Sequence, residues 1–122
     1  MRFHIVFVTR YRHGCITVQM LESLRSTLAG VCLKWRCKLL EFGGEADHVH
    51  LLVSGHPAVN LSRMVGNLKM VSARKMRGEF AAHLKPFYWK PTFWSSSYAV
   101  FSVGSADLKT VVKYIQGQES PT

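Results

Sequence analysis

The chain has 122 residues, 48% hydrophobic and 19% charged, which suits one globular domain over 1–122 and excludes both a two-core enzyme and a largely disordered chain. A net charge of +9 points to a polyanionic partner, nucleic acid ahead of an acidic membrane surface, because no lipidation signal or basic amphipathic segment accompanies it. No apolar run has the length of a membrane span or the form of a signal peptide, and Cys15, Cys32 and Cys37 form no CxxC pair, so a cytoplasmic protein with reduced thiols is expected.

Phe3 to Thr9 is β-branched and aromatic and reads as a first strand, broken by the basic turn Arg10-Tyr11-Arg12-His13-Gly14. Thr17 is placed to cap a helix on which Leu21, Leu24, Leu28, Val31, Cys32 and Trp35 recur at three- and four-residue steps. Lys38 to Phe42 reads as a second strand ended by Gly43-Gly44, close enough to the next apolar run for a hairpin. That run, Ala46 to Val53, reads as a buried strand. Alternation puts His48 and His50 on one face and Val49, Leu51 and Val53 on the other. Two imidazoles about 7 Å apart along a strand can close on one metal ion; they can equally be satisfied or half-exposed histidines.

After a loop at Ser54 to Pro57, Asn60 or Ser62 starts a second helix running to about Phe80. Its inward stripe is Leu61, Met64, Val65, Leu68, Val71 and Ser72. Arg63, Arg74 and Arg77 fall on the opposite face, with Lys69 and Lys75 on the flanks, a face that is either simply solvated or in contact with phosphates. Lys85 to Trp94 is a Pro-punctuated loop with five aromatic residues. Plugging the core is the preferred reading of those rings, and stacking of single-stranded bases is the other. Ser97 to Val103 reads as a fourth strand, Gly104-Ser105 as a turn, and Asp107 to Gln118 as a last helix capped by Ser105 or Asp107.

The resulting order is the split βαβ order of an α+β, ferredoxin-like antiparallel sheet with helices on one face and an extra C-terminal helix. The histidines are expected on the other, free face. On the last helix Leu108, Val111, Val112 and Ile115 mark the apolar stripe, and Tyr114 and Gln118, four residues apart, share one edge of it. Taken alone, that pair reads as a core-margin tyrosine and a surface glutamine.

Five blocks in one order, FHIVFVTRYRH, DHVHLLV, LKMVSAR, FWSSSYAVFSVG and VVKYIQGQ, cover Phe3 to Gln118 and resemble the small single-tyrosine HUH transposases, the TnpA type, of insertion sequences that move as single-stranded DNA. The resemblance implies His48 and His50 as metal ligands, Gln118 as a third, and Tyr114 as the nucleophile. It implies Mg²⁺ or Mn²⁺ as cofactor, single-stranded DNA with subterminal hairpins as partner, and a homodimer in which the tyrosine helix can serve the other subunit. Arg10, Arg12, Lys69 and Arg74 lie in the matching blocks and are the candidate DNA contacts. Ala46 stands where a proline commonly precedes the histidine block, and Met70 where a glycine follows the lysine.

The implied chemistry is attack of the tyrosyl oxygen on phosphorus with loss of a 3′-hydroxyl. The 5′-phosphotyrosine left behind keeps the ester linkage, so a second 3′-hydroxyl can reverse the step without ATP. Asp47 is placed to orient one imidazole, and no residue is assigned as base for the phenol. The alternative is a non-catalytic ferredoxin-like nucleic-acid-binding module with aromatics on its open sheet face. His4 and His13 are weaker candidates for phosphate contact.

Overall fold

The structure is a computed structural model that describes residues 1–118 and 121. Alternation along β1 (Arg2–Thr9) decides its layering: Phe3, Ile5, Phe7 and Thr9 are buried on one face, leaving His4, Val6 and Val8 on the other. β3 (His48–Ser54) pairs antiparallel with β1, setting His50 opposite Val6 and His48 opposite Val8. β2 (Lys38–Gly44) pairs with the outer edge of β3, and β4 (Trp94–Ser102) with the free edge of β1, giving the antiparallel order β2-β3-β1-β4. This is the predicted split βαβ arrangement.

α1 (Val18–Lys34) and α2 (Leu61–Glu79) lie on the Phe3, Ile5, Phe7 face. There Met20, Leu24 and Leu28 of α1 meet Met64, Val65 and Leu68 of α2 over Val49, Leu51 and Val53. Both starts are fixed by side-chain oxygens: Thr17 accepts from the Met20 amide at 3.1 Å, and Asn60 from the Arg63 amide at 3.2 Å. The three cysteines are buried and unpaired.

The structure departs from expectation in several places, among them the N-terminus of the last helix, where Asp107 stands at the cap position without a side-chain cap bond. A short helix, α3 (Ala81–Leu84), follows α2 and buries Leu84. The aromatic loop is split: Phe93 and Trp94 enter the core, and Trp94 begins β4 three residues before the expected Ser97, its indole Nε1 donating to the buried Ser72 Oγ at 2.9 Å. That bond satisfies the indole N–H, which burial would otherwise penalise, while the Ser72 hydroxyl donates to the Leu68 carbonyl at 2.6 Å. Gly43-Gly44 does not end β2 but continues it.

Finally, the second sheet face is not free. α4 (Leu108–Gln116) lies across it, with Ile115 buried against Leu52 and Val103 and with Leu108, Val111 and Val112 alongside. Leu52 shares the face of His48 and His50, so it gives the apolar stripe of α4 a floor beside the histidines. Gly43 makes the approach possible, because a Cβ there would stand 2.6 Å from the Ile115 carbonyl oxygen. Gly43→Ala is therefore expected to lower unfolding stability by about 1–3 kcal/mol through displacement of α4, read from urea midpoints. Gly30→Ala, on α1 with open space around it, is the control and should gain about 0.5–1 kcal/mol.

Candidate active site

The site begins at the β2–β3 connection, which is pinned before any functional side chain is considered. The Asp47 carbonyl accepts from the Thr9 amide at 2.9 Å and the Thr9 hydroxyl at 3.2 Å, and the Ala46 carbonyl accepts from the Ile16 amide at 2.9 Å. The position that carries alanine in place of proline is thus held by backbone bonds. With its backbone fixed, Asp47 reaches His48 Nδ1 through Oδ1 at 2.8 Å, while Oδ2 takes Nη2 and Nε of Arg12 at 3.0 and 3.2 Å. Partial burial alone would raise the Asp47 carboxyl, but the bonds and charges of His48 and Arg12 outweigh it and hold the group below its usual range.

His50, the other member of the pair, is buried at 5% exposure. Its Nδ1 lies 2.9 Å from Nε2 of His4, and the two rings stack with centroids 5.1 Å apart. Burial, followed by the neighbouring His4 and His48, pushes the His50 imidazole down to about 4, and burial lowers His4 as well. His50 is therefore neutral at neutral pH, the form in which imidazole offers a lone pair. His4 is the member of this group that sequence reasoning left outside. Its signal was the alternation of β1, which becomes useful only when the β1–β3 pairing is known.

α4 brings in the phenol, and the chain just beyond it brings in the amide, because the helix expected to run to Gln118 stops at Gln116. The Tyr114 ring stands edge-on to His50 at 5.1 Å between centroids and to His4 at 6.2 Å. One turn later the Gln118 amide donates to the Tyr114 carbonyl at 3.2 Å, which turns its oxygen toward His48 Nε2 at 3.1 Å. The structure thus gathers His48, His50, Tyr114 and Gln118 within one chain, at the edge of the apolar stripe of α4.

Among the described residues no three His, Cys, Asp or Glu side chains cluster as a metal centre. The donor set here is two imidazoles and an amide oxygen, and its hydrogen bonding suits a cation. His48 Nδ1 donates to a carboxylate, so its Nε2 faces the Gln118 oxygen as one lone pair facing another unless a proton or a metal ion intervenes. Among the described residues His50 Nε2 is buried with no hydrogen-bond partner, while its other nitrogen is held by His4, which fixes the ring as an outer partner does for a metal-bound histidine.

The basic residues divide. Arg12 joins the site through Asp47 and is otherwise exposed. Arg10 lies at the start of the following turn, its backbone amide bonded to the Phe93 carbonyl at 2.9 Å. Lys69 donates to the Ser95 carbonyl at 2.6 Å and lies 5.5 Å from the centre of the Tyr98 ring; burial, then Arg10, lowers its ammonium. Arg74 is exposed on α2, in the layer on the far side of the sheet from the histidines.

The depressed His50 has a consequence for stability. As pH falls below 6.5 the unfolded chain protonates this histidine, while the folded chain resists until about 4. Stability is expected to decline across that window by up to about 3 kcal/mol, with His4 adding in the same sense. Urea midpoints of the metal-free protein at pH 7.5, 5.5 and 4.5 check this, and a flat profile would contradict the burial of a neutral His50.

Residues 1–118 match the family described as Transposase IS200 like. The chain is 28% identical over 120 residues to the ISDra2 transposase TnpA of Deinococcus radiodurans, covering 97% of this chain and 84% of that protein. It is 31% identical over 117 residues to the transposase for insertion sequence element IS200 of Salmonella typhimurium, covering 96% and 76%. Its fold matches a solved chain from Deinococcus radiodurans R1, described as a transposase, with a TM-score of 0.77 at 28% identity over 98% of this chain and 92% of that one. A REP-associated tyrosine transposase bound to a REP hairpin gives a TM-score of 0.67 over 93% and 63%, a likeness of fold at 16% identity.

Proposed function

Because the chain belongs to the IS200-like transposase family, we propose that it binds single-stranded transposon ends carrying hairpins, nicks them through Tyr114 and rejoins the strands. The observation that carries this reading is the placement of Tyr114 against His50, with Gln118, two residues past the end of α4, 3.1 Å from His48. In the proposed step the Tyr114 oxygen attacks the scissile phosphorus, the bond to the 3′-oxygen breaks, and that oxygen leaves as a hydroxyl. The 5′-phosphate stays on the tyrosine as an ester, and attack by another 3′-hydroxyl returns the phenol.

Mg²⁺ or Mn²⁺ held by His48, His50 and Gln118 would supply Lewis-acid polarisation of a phosphate oxygen. Asp47, braced by Arg12, keeps the Nδ1 proton of His48 in place and so leaves Nε2 free to act as a donor. The bond from the Gln118 amide to the Tyr114 carbonyl ties the third donor to the helical turn that carries the nucleophile, so the two move together.

Arg10, Arg12, Lys69 and Arg74 are the proposed phosphate contacts, and the protein works in the cytoplasm as a homodimer. The binding-module alternative is disfavoured because α4 lies on the sheet face that such a module would present to bases.

The test is incubation of a labelled single-stranded oligonucleotide carrying the element's end hairpin with Mg²⁺, Mn²⁺ or chelator, followed by denaturing electrophoresis. A covalent protein–DNA band with metal and none with chelator is expected. Hairpin binding without an adduct under any metal would favour the non-catalytic module.

A further inference from the structure

Outside the histidine site, the turn after β1 and the loop before β4 meet in an exposed aromatic and cationic cleft lined by Arg10, Tyr11, Trp89 and Lys90. Tyr11 and Arg12 both adopt left-handed backbone, with φ of 59° and 54°, a conformation disfavoured for residues with side chains. The third residue of this kind, Arg36, has an ordinary structural reason. It closes α1, its amide reaching the Leu33 carbonyl at 3.0 Å while the Cys37 amide reaches the Cys32 carbonyl at 2.9 Å. Tyr11 and Arg12 end no such helix. They form a tight turn of their own, closed by the His13 amide on the Arg10 carbonyl at 3.4 Å and held further by the Tyr88 hydroxyl donating to the Arg10 carbonyl at 2.8 Å and by the grip of Arg12 on Asp47.

What the strained turn achieves is presentation. Tyr11 is 74% exposed with the Arg10 guanidinium 5.5 Å from its ring centre, and Trp89 is 88% exposed with the Lys90 ammonium 4.7 Å from its ring centre. Core packing explains neither ring. Aromatic faces beside cations, on a chain of charge +9, match unpaired bases joined by phosphates. A second copy of the chain would set cation against cation, and a duplex keeps its base faces stacked inside.

We propose that Tyr11 and Trp89 stack unpaired bases of the DNA strand flanking the hairpin, with Arg10 and Lys90 on the adjoining phosphates. This rests on the strand-transfer reading and adds the place where the unpaired strand is gripped. The turn that grips it is also the turn whose Arg12 braces Asp47 and, through it, His48.

The test measures fluorescence anisotropy of labelled hairpin oligonucleotides with and without an unpaired flank, in chelator so that no cleavage intervenes. Trp89→Ala and Tyr11→Ala are each expected to weaken binding of the flanked oligonucleotide by roughly tenfold or more and to leave the bare hairpin unaffected. Trp89→Phe should keep the affinity while losing the tryptophan quenching that flank binding produces in the parent. Parent-like affinity of both alanine variants for the flanked strand overturns the proposal. So does a Trp89→Ala variant that changes only the sedimentation coefficient, which would assign the cleft to a second copy. The adduct assay separates the two readings: an adduct with flank affinity unaltered in the variants sinks the cleft alone, whereas loss of flank affinity in a protein that forms no adduct supports the cleft and sinks strand transfer.

Discussion

Replacing Tyr114 by phenylalanine is expected to abolish the covalent protein–DNA adduct and to lower strand cleavage by at least about a thousandfold, because one oxygen is both removed and chemically required. The fold should not notice. α4 is anchored by Ile115 against Leu52 and Val103, whereas Tyr114 is about half exposed, so the change in unfolding free energy should stay within about 0.5 kcal/mol. The ring itself is kept against His50, and hairpin affinity should therefore match the parent. Denaturing gels of the labelled strand give the readout, and an adduct that survives in Tyr114→Phe would remove this residue as nucleophile.

The second large effect belongs to the imidazoles. Metal held by the folded chain stabilises it, by about 2.7 kcal/mol when the free ion stands at a hundred times its dissociation constant. Mn²⁺ should accordingly raise the Tm of the parent by several degrees. In His50→Ala and His48→Ala that rise is expected to vanish, and metal-supported cleavage to fall by at least about a hundredfold. The metal-induced increment is the quantity to compare, because His50→Ala also removes a buried ring and the partner of His4, which changes the metal-free Tm in its own right. A His50→Ala protein that retains the full increment would exclude His50 from the donor set.

Much of this was legible along the chain. Period-two alternation set which side of β1 is buried and put Val49, Leu51 and Val53 of β3 on that same side, and three- and four-residue spacing set the inward stripes of α1, α2 and α4. Thr17 and Asn60 act as the helix caps that their residue types announce. Tyr114 sits on α4 as its spacing announces, whereas Gln118 lies past the helix end at Gln116 and keeps to the same side through its amide bond to the Tyr114 carbonyl. These are local properties, set by backbone geometry and by where each side chain sits in a short repeat.

Other features had no local signature. The reach of Trp94 into the core depends on Ser72 lying across from it, 22 residues earlier in the chain. Gly43 read as a turn residue because its real role, leaving room for the Ile115 backbone, exists only once α4 has docked. The left-handed pair Tyr11-Arg12 looked like part of an ordinary basic turn. Beyond its own closing bond from the His13 amide, it is held by Tyr88 and Asp47, partners far along the chain.

The sequence by itself determined the order of the four strands and three longer helices, the inward stripes, the caps of α1 and α2 and the family resemblance, since these follow from spacing between near neighbours. Only the tertiary structure decided that His4 joins His50, that α4 covers the histidine face, and that Gln118 meets His48. Each of these depends on pairing register or on docking between segments tens of residues apart, and the local periodicity of neither partner specifies the meeting.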